Sequence, residues 1–208
     1  MGKVKIKKSD VWIDMTPMSD VMTLLLTFFM LTSTFVKNEP VKVNTPGSVS
    51  ETKVPENGVL TILVSPEKGP TGKPTGEGQV FLSYDNTNEL GQIVDNMGIT
   101  LTPAQKKTFV AESTFGTPLD KLAAYLSKPA AERSKELPKM GIPLDSIQGQ
   151  EMTEFQQWVN AARQVNPKVR LAIKSDSDSP YGTVKKVMSE LQDMDESHYY
   201  MITQLDAK

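Results

Sequence analysis

The stretch PMSDVMTLLLTFFMLTSTFV, residues 17–36, carries a single carboxylate, Asp20, as the fourth of twenty otherwise membrane-compatible residues. A charge near the middle of a membrane-spanning helix costs about 2.5–3.5 kcal/mol on insertion scales, and less towards an end. Desolvation penalises the charged form of an acid, so a buried carboxyl favours binding a proton. Moving one elementary charge across ~100 mV is worth about 2.3 kcal/mol. An acid that loads on one side and unloads on the other therefore converts ion flow into work, with the proton as coupling ion and no cofactor. The plainer reading is that Asp20 reaches the headgroups or caps its helix, whose start the sequence leaves open between Trp12 and Pro17.

The surrounding pattern bears on that choice. At about 100° per residue, Thr16, Asp20, Thr23, Thr27 and Thr34 fall within an arc of roughly 60°, with Met30 at its edge. Leu24, Leu25, Leu26, Phe28, Phe29 and Leu31 occupy the other faces and suit lipid or apolar protein. Threonines in a helix can simply bond back to their own carbonyls. With an acid among them, the stripe reads as a hydrated or proton-lined contact face. One helix cannot surround its own acid, so partner helices from another subunit or another copy are expected. The seventh-residue spacings Asp20, Thr27, Thr34 and Thr16, Thr23, Met30 suit such a seam.

Other chemistry has little material. The chain has no cysteine, which excludes disulfides and thiolate sites, and His198 is its one histidine, read as a residue entering a strand. Asp176 and Asp178 in SDSDS lack the Gly and distal Glu of a calcium loop and read as a polar turn capping the next helix. No P-loop, GxSxG or HExxH motif is present, and an enzyme is not expected. The net charge of −2 provides no basic face for nucleic acid.

These residues need elements to hold them. Twenty helical residues rise ~30 Å, enough to span a bilayer. No A-x-A-like cleavage site follows the run, which argues against a signal peptide. Lys3, Lys5, Lys7 and Lys8 precede it, against the sparser Lys37, Lys42 and Lys53 after it, so the N-terminus is expected inside. The expected organisation is a cytoplasmic tail (1–11), a transmembrane helix (12–36), an extended Pro-containing linker (37–58) and an α+β domain (59–208) outside the cytoplasm. Within the domain, GVLTILVS and VFLSYD read as a hairpin with a long Gly/Pro tip. NTNELGQIVDNMG and TEFQQWVNAARQVNP read as helices, KVRLAIKSD as a buried strand, PYGTVKKVMSELQDMD as a helix and HYYMITQL as a last strand. Trp158 and Tyr181 read as core or rim aromatics. Residues 98–150 read as a helical segment in which Thr117 and Asp120 supply the cap and first-turn acid of one helix.

At three separated places the sequence resembles the ExbD/TolR family. IDMTPMSDVMTLLLTFFML matches its N-terminal signature at Thr16, Pro17, Asp20 and Val21. VKVNTPGS is similar to its Val-x-Val-Asn-Leu-Pro segment at Val41, Val43, Asn44 and Pro46, with Thr45 departing from Leu. VRLAIKSDSDSPYGTVKKVM resembles its strand, Arg-Ala-Asp and helix at Asp176, Tyr181, Val187 and Met188, with Lys174 and Ser175 in place of Arg and Ala. Residues 98–150 are extra relative to that pattern.

The resemblance implies a single-pass subunit of a proton-driven motor in the bacterial inner membrane, with its C-terminal domain in the periplasm. It implies two copies, or a copy and a paralogue, inside a pentameric ExbB/TolQ-like channel, Asp20 as the proton carrier, and a TonB-like protein as recipient of the work. The alternative is a membrane-anchored periplasmic binding module, for peptidoglycan or another envelope partner, with the helix as a tether. Residues 98–150 are either a surface elaboration packed on the sheet or a docking site for a further partner.

Overall fold

A computed structural model describes residues 14–32, 41–49, 54–55, 58–68, 74–145 and 152–205. The chain forms two units, residues 1–38 and 39–208. In the first, α1 runs Thr16–Thr32, seventeen residues or ~25 Å of helix. Pro17 fits its opening turn, where a missing N–H costs nothing. Among the described residues no helix is long and apolar enough to cross a membrane. The cytoplasmic tail and the two ends of the expected span, 12–13 and 33–36, lie outside them.

The second unit is a mixed α+β domain. Its sheet comprises β2 (Val59–Lys68), β3 (Pro74–Tyr84), β4 (Thr114–Phe115), β5 (Arg170–Ser175) and β6 (Tyr199–Met201), in the order β4-β3-β2-β5-β6. β2 pairs antiparallel with β3 and parallel with β5, and β5 pairs parallel with β6. A separate two-residue parallel ladder joins β1 (Gly47–Ser48) to β7 (Gln204–Leu205). The helices are α2 (Thr87–Asn96), α3 (Pro103–Ala111), α4 (Leu119–Leu126), α5 (Ala130–Glu136), α6 (Glu154–Val165) and α7 (Tyr181–Asp193), with a 3-10 turn at Leu137–Lys139.

Period-2 burial makes the sheet and period-3.6 burial makes the helices. Leu60, Ile62 and Val64 of β2 are buried with Leu171 and Ile173 of β5 and with the apolar faces of the helices: Leu90, Ile93 and Val94 of α2, Phe155, Trp158, Val159 and Ala162 of α6, and Val184, Val187 and Leu191 of α7. α6 begins with a reciprocal capping box between Thr153 and Gln156. The alternate positions Thr61, Leu63, Ser83 and Lys174 line a shallow cavity of about 210 Å³, closed in part by Val41 and Ile202.

Several expectations change. The Gly/Pro segment read as a loop is largely strand, because β2 continues through Pro66 to Lys68 and β3 begins at Pro74. A register shift between Pro66 and Glu67 accommodates the proline, which cannot donate to a ladder. The last strand is divided: Tyr199–Met201 joins the main sheet, whereas Gln204–Leu205 pairs with the linker.

The described part of the 98–150 segment, residues 98–145, contains α3, α4 and α5 and is not an outer elaboration. Phe109, Phe115, Leu122, Tyr125, Leu126, Leu137 and Ile142 belong to the core, and β4 extends the sheet. Trp158 stacks on Phe109 at a centroid distance of 5.8 Å and lies 4.6 Å from Phe115. At Gly116 a Cβ would meet the Phe81 ring at 2.1 Å, so only glycine fits there. Residues 146–150 of this segment lie outside the described residues.

Thr117 does not cap α4. Pro118 holds the N-cap position without a side-chain bond, and the buried Thr117 hydroxyl has no partner. The Leu119 N–H donates instead to the Glu154 carboxylate at 3.0 Å, so the first residue of α6 closes the start of α4. Burial, followed by the Asp120 charge, raises the Glu154 pKa against the lowering effect of that bond. Asp120 does lie in the first turn.

Candidate functional site

α1 is built to present hydroxyls. The Thr23 hydroxyl donates to the Ser19 carbonyl at 2.8 Å, and that of Thr27 to the Thr23 and Leu24 carbonyls at 3.0 and 2.9 Å. With their protons committed to the backbone, these oxygens present acceptor lone pairs outward. Asp20 shares their arc and is exposed on the isolated helix. Every large apolar residue of α1 is exposed as well, from Leu25 at 49% to Leu31 at 86%. No residue of α1 is buried.

Asp20, Thr23 and Thr27 share one face of α1. Thr16 bonds the Asp14 carboxylate through both its N–H, at 3.0 Å, and its hydroxyl, so it serves the helix start. Thr34 lies outside the described residues. Two residues were missed: Asp14, whose position ahead of Thr-Pro is a helix-start signal, and Ser19, about 40° from Thr23, which donates to the Met15 carbonyl.

Three of the other signature residues, Asn44, Pro46 and Asp176, fall together in a second cluster, in the domain. Asp176 is buried at 8% exposure just past the end of β5. One carboxylate oxygen accepts the Asn44 N–H at 3.0 Å and the other the Asp178 N–H at 3.0 Å. The Ser177 N–H returns a bond to the Asn44 carbonyl at 2.8 Å. Two residues on, the Pro46 carbonyl accepts the Gln204 N–H at 3.0 Å, and the β1–β7 ladder follows. Val41 and Val43 point into the core at 4% and 9% exposure.

The first described part of the linker is thus docked on the domain rather than free. SDSDS is not the helix cap it was read as: α7 starts at the N-cap Pro180 without a side-chain bond, and Asp176 holds the linker. Tyr181 is neither core nor rim, at 74% exposure on the first turn of α7, while Trp158 is core at 1%. Val21 is exposed on α1, and Val187 is buried beside the partly buried Met188. The spacing of Asn44 and Asp176, 132 residues apart, carried no sign that they meet. Among the described residues no group of three or more His, Asp or Glu is placed to hold a metal ion.

The chain is 29% identical over 65 residues to "Biopolymer transport protein exbD2" of Vibrio cholerae serotype O1 (strain ATCC 39315 / El Tor Inaba N16961), a stretch covering 31% of this chain and 48% of that protein. The chain thus spans about half the length of the curated relative it matches. No solved structure matches it. The family model "ExbD: Biopolymer transport protein ExbD/TolR" matches residues 7–204, and the chain belongs to that family.

Proposed function

We propose that this chain is a subunit of a proton-motive-force-driven motor of the bacterial inner membrane, anchored by residues 12–36 with its domain in the periplasm. In this reading it passes energy to outer-membrane transport through a TonB-like partner. The observation that carries the reading is the Asp20 face of α1, an acid beside hydroxyl acceptors on an apolar helix that calls for a covering. An ExbB/TolQ-like channel and a second copy of the helix would supply that covering.

The side-chain chemistry then sets a two-state contact. Ionised Asp20 needs donors, from water or a channel group, because the Thr23 and Thr27 protons are held by backbone carbonyls. Once protonated, the carboxyl is itself a donor and loses most of the cost of facing an apolar wall. Each proton taken up or released therefore changes which wall of the channel the helix prefers. A helix held by such a preference rotates or tilts as protons pass.

The test is Asp20→Asn in the full chain, expressed with its channel partner in cells that depend on it for energised uptake. The expected result is unchanged membrane level and co-purification with the partner, and loss of uptake. Normal uptake by this variant ends the carrier role. Replacing residues 12–36 with an unrelated spanning helix distinguishes the motor from a tethered binding module, since a tether would tolerate the exchange.

A further inference from the structure

The linker, the sheet and the 98–150 segment meet around one cleft of about 340 Å³, lined by Val41, Lys42, Ser65, Pro66, Lys135, Pro138 and Lys139. Its size is in the ~300–1,000 Å³ range of small-molecule clefts. Three of its seven lining residues are lysines, in a chain whose net charge is −2. Among the described residues, none of the three ammonium groups has a hydrogen-bond or ion-pair partner. The acid nearest to them in sequence on α5, Glu136, holds Lys128 through both carboxylate oxygens, at 2.6 and 2.7 Å. The lysines come from two segments brought together by folding. Lys42 is placed by the docked linker, while Lys135 and Lys139 come from α5 and the 3-10 turn that packs on β2.

We propose that this cleft binds the phosphate of an anionic phospholipid headgroup. Lysine ammoniums are compact charges suited to phosphate, and three without counter-ions define an anion site. Val41, Pro66 and Pro138 add apolar wall for the glycerol and first methylenes of a lipid, which a free inorganic anion does not need. The sequence favours a membrane source. Lys42 follows the end of the proposed span, Val36, by six residues, a reach of no more than ~20 Å of extended chain. The assignment rests on the proposed membrane anchoring. Because Lys42 enters the cleft only while the linker is docked, headgroup binding favours the docked linker.

The test uses the full chain in zwitterionic detergent micelles, titrated separately with dihexanoyl-phosphatidylglycerol, dihexanoyl-phosphatidylcholine and inorganic phosphate. Binding is followed through the backbone amide resonances of Ser65 and Lys139. Saturable shifts with phosphatidylglycerol alone are expected. Affinity should weaken about fivefold for each lysine changed to glutamine and about a hundredfold for Lys42→Gln/Lys135→Gln/Lys139→Gln. Equal binding of inorganic phosphate overturns the lipid assignment in favour of a free anion. Absence of saturable shifts, or an unchanged affinity in the triple variant, overturns the site. Carbonate extraction of membranes containing the parent chain tests the anchor independently, since it reports retention of residues 12–36 whatever the cleft binds.

Discussion

Replacing Asp176 with alanine should release the linker from the domain without unfolding the domain. The carboxylate accepts two backbone N–H groups at 3.0 Å, of which only the Asn44 bond crosses to the linker. A hydrogen bond to a charged group contributes about 1.5–3 kcal/mol, so losing it raises the undocked fraction roughly 10- to 150-fold. The Asn44 amide loses its acceptor directly and is a poor reporter. The informative amides are Ser177 and Gln204, which keep their acceptors, the Asn44 and Pro46 carbonyls, as long as the linker stays in place.

Amide hydrogen exchange of the full chain in micelles reads this. In Asp176→Ala, Ser177 and Gln204 should exchange about 10- to 150-fold faster, while Ile62 and Ile173 at the centre of the sheet keep their rates. Unchanged exchange at Ser177 and Gln204 would show that Val41, Val43 and the β1–β7 ladder hold the linker alone. Parallel acceleration at all four would show that the carboxylate supports the whole domain, and the idea of a local clamp would be wrong.

The 98–150 segment and the α4 start allow two further checks. Phe115→Ala should destabilise the domain by about 3–5 kcal/mol in denaturant titration, because the ring is buried between Phe109 and Trp158; a change below about 1 kcal/mol would return the segment to the surface. Glu154→Gln should raise the thermal midpoint at pH 7. Glu154 has a raised folded pKa, so the native state holds its proton more tightly, and stability falls as pH rises above the ordinary value of 4.5. Glutamine still accepts the Leu119 N–H, and the two proteins should converge below about pH 4.5, where the parent is protonated in both states. A gap that persists there would assign the effect to packing.

What the sequence made legible follows from the range of each signal. The helical faces of α2 and α6, with Leu90, Ile93, Val94, Phe155, Trp158 and Val159, are local periodicities and are the residues buried. Asp20 stood out because a charge in an apolar run is anomalous within twenty residues. The Asn44–Asp176 bond and the Glu154 closure of α4 join positions 132 and 35 residues apart and leave no local trace. Prolines misled in the hairpin, where Pro66 and Pro74 suggested a loop and the register shift at Pro66 lets the strands run on. The 98–150 segment was recognised as helical, yet its role in the core depended on Phe109 and Phe115 meeting Trp158, a contact no helical period encodes.

The 132 residues separating Asn44 from Asp176 also impose an order of events during synthesis. At about 5–20 residues per second, the ribosome makes the acid on the order of 10 s after the asparagine it will grip. The strand that completes the ladder, Gln204–Leu205, is made later still. Throughout that interval Asn44 and Pro46 lack the partners that the far end of the domain supplies, Asp176, Ser177 and Gln204. The clamp that fixes this segment therefore closes only once the far end of the domain has been translated.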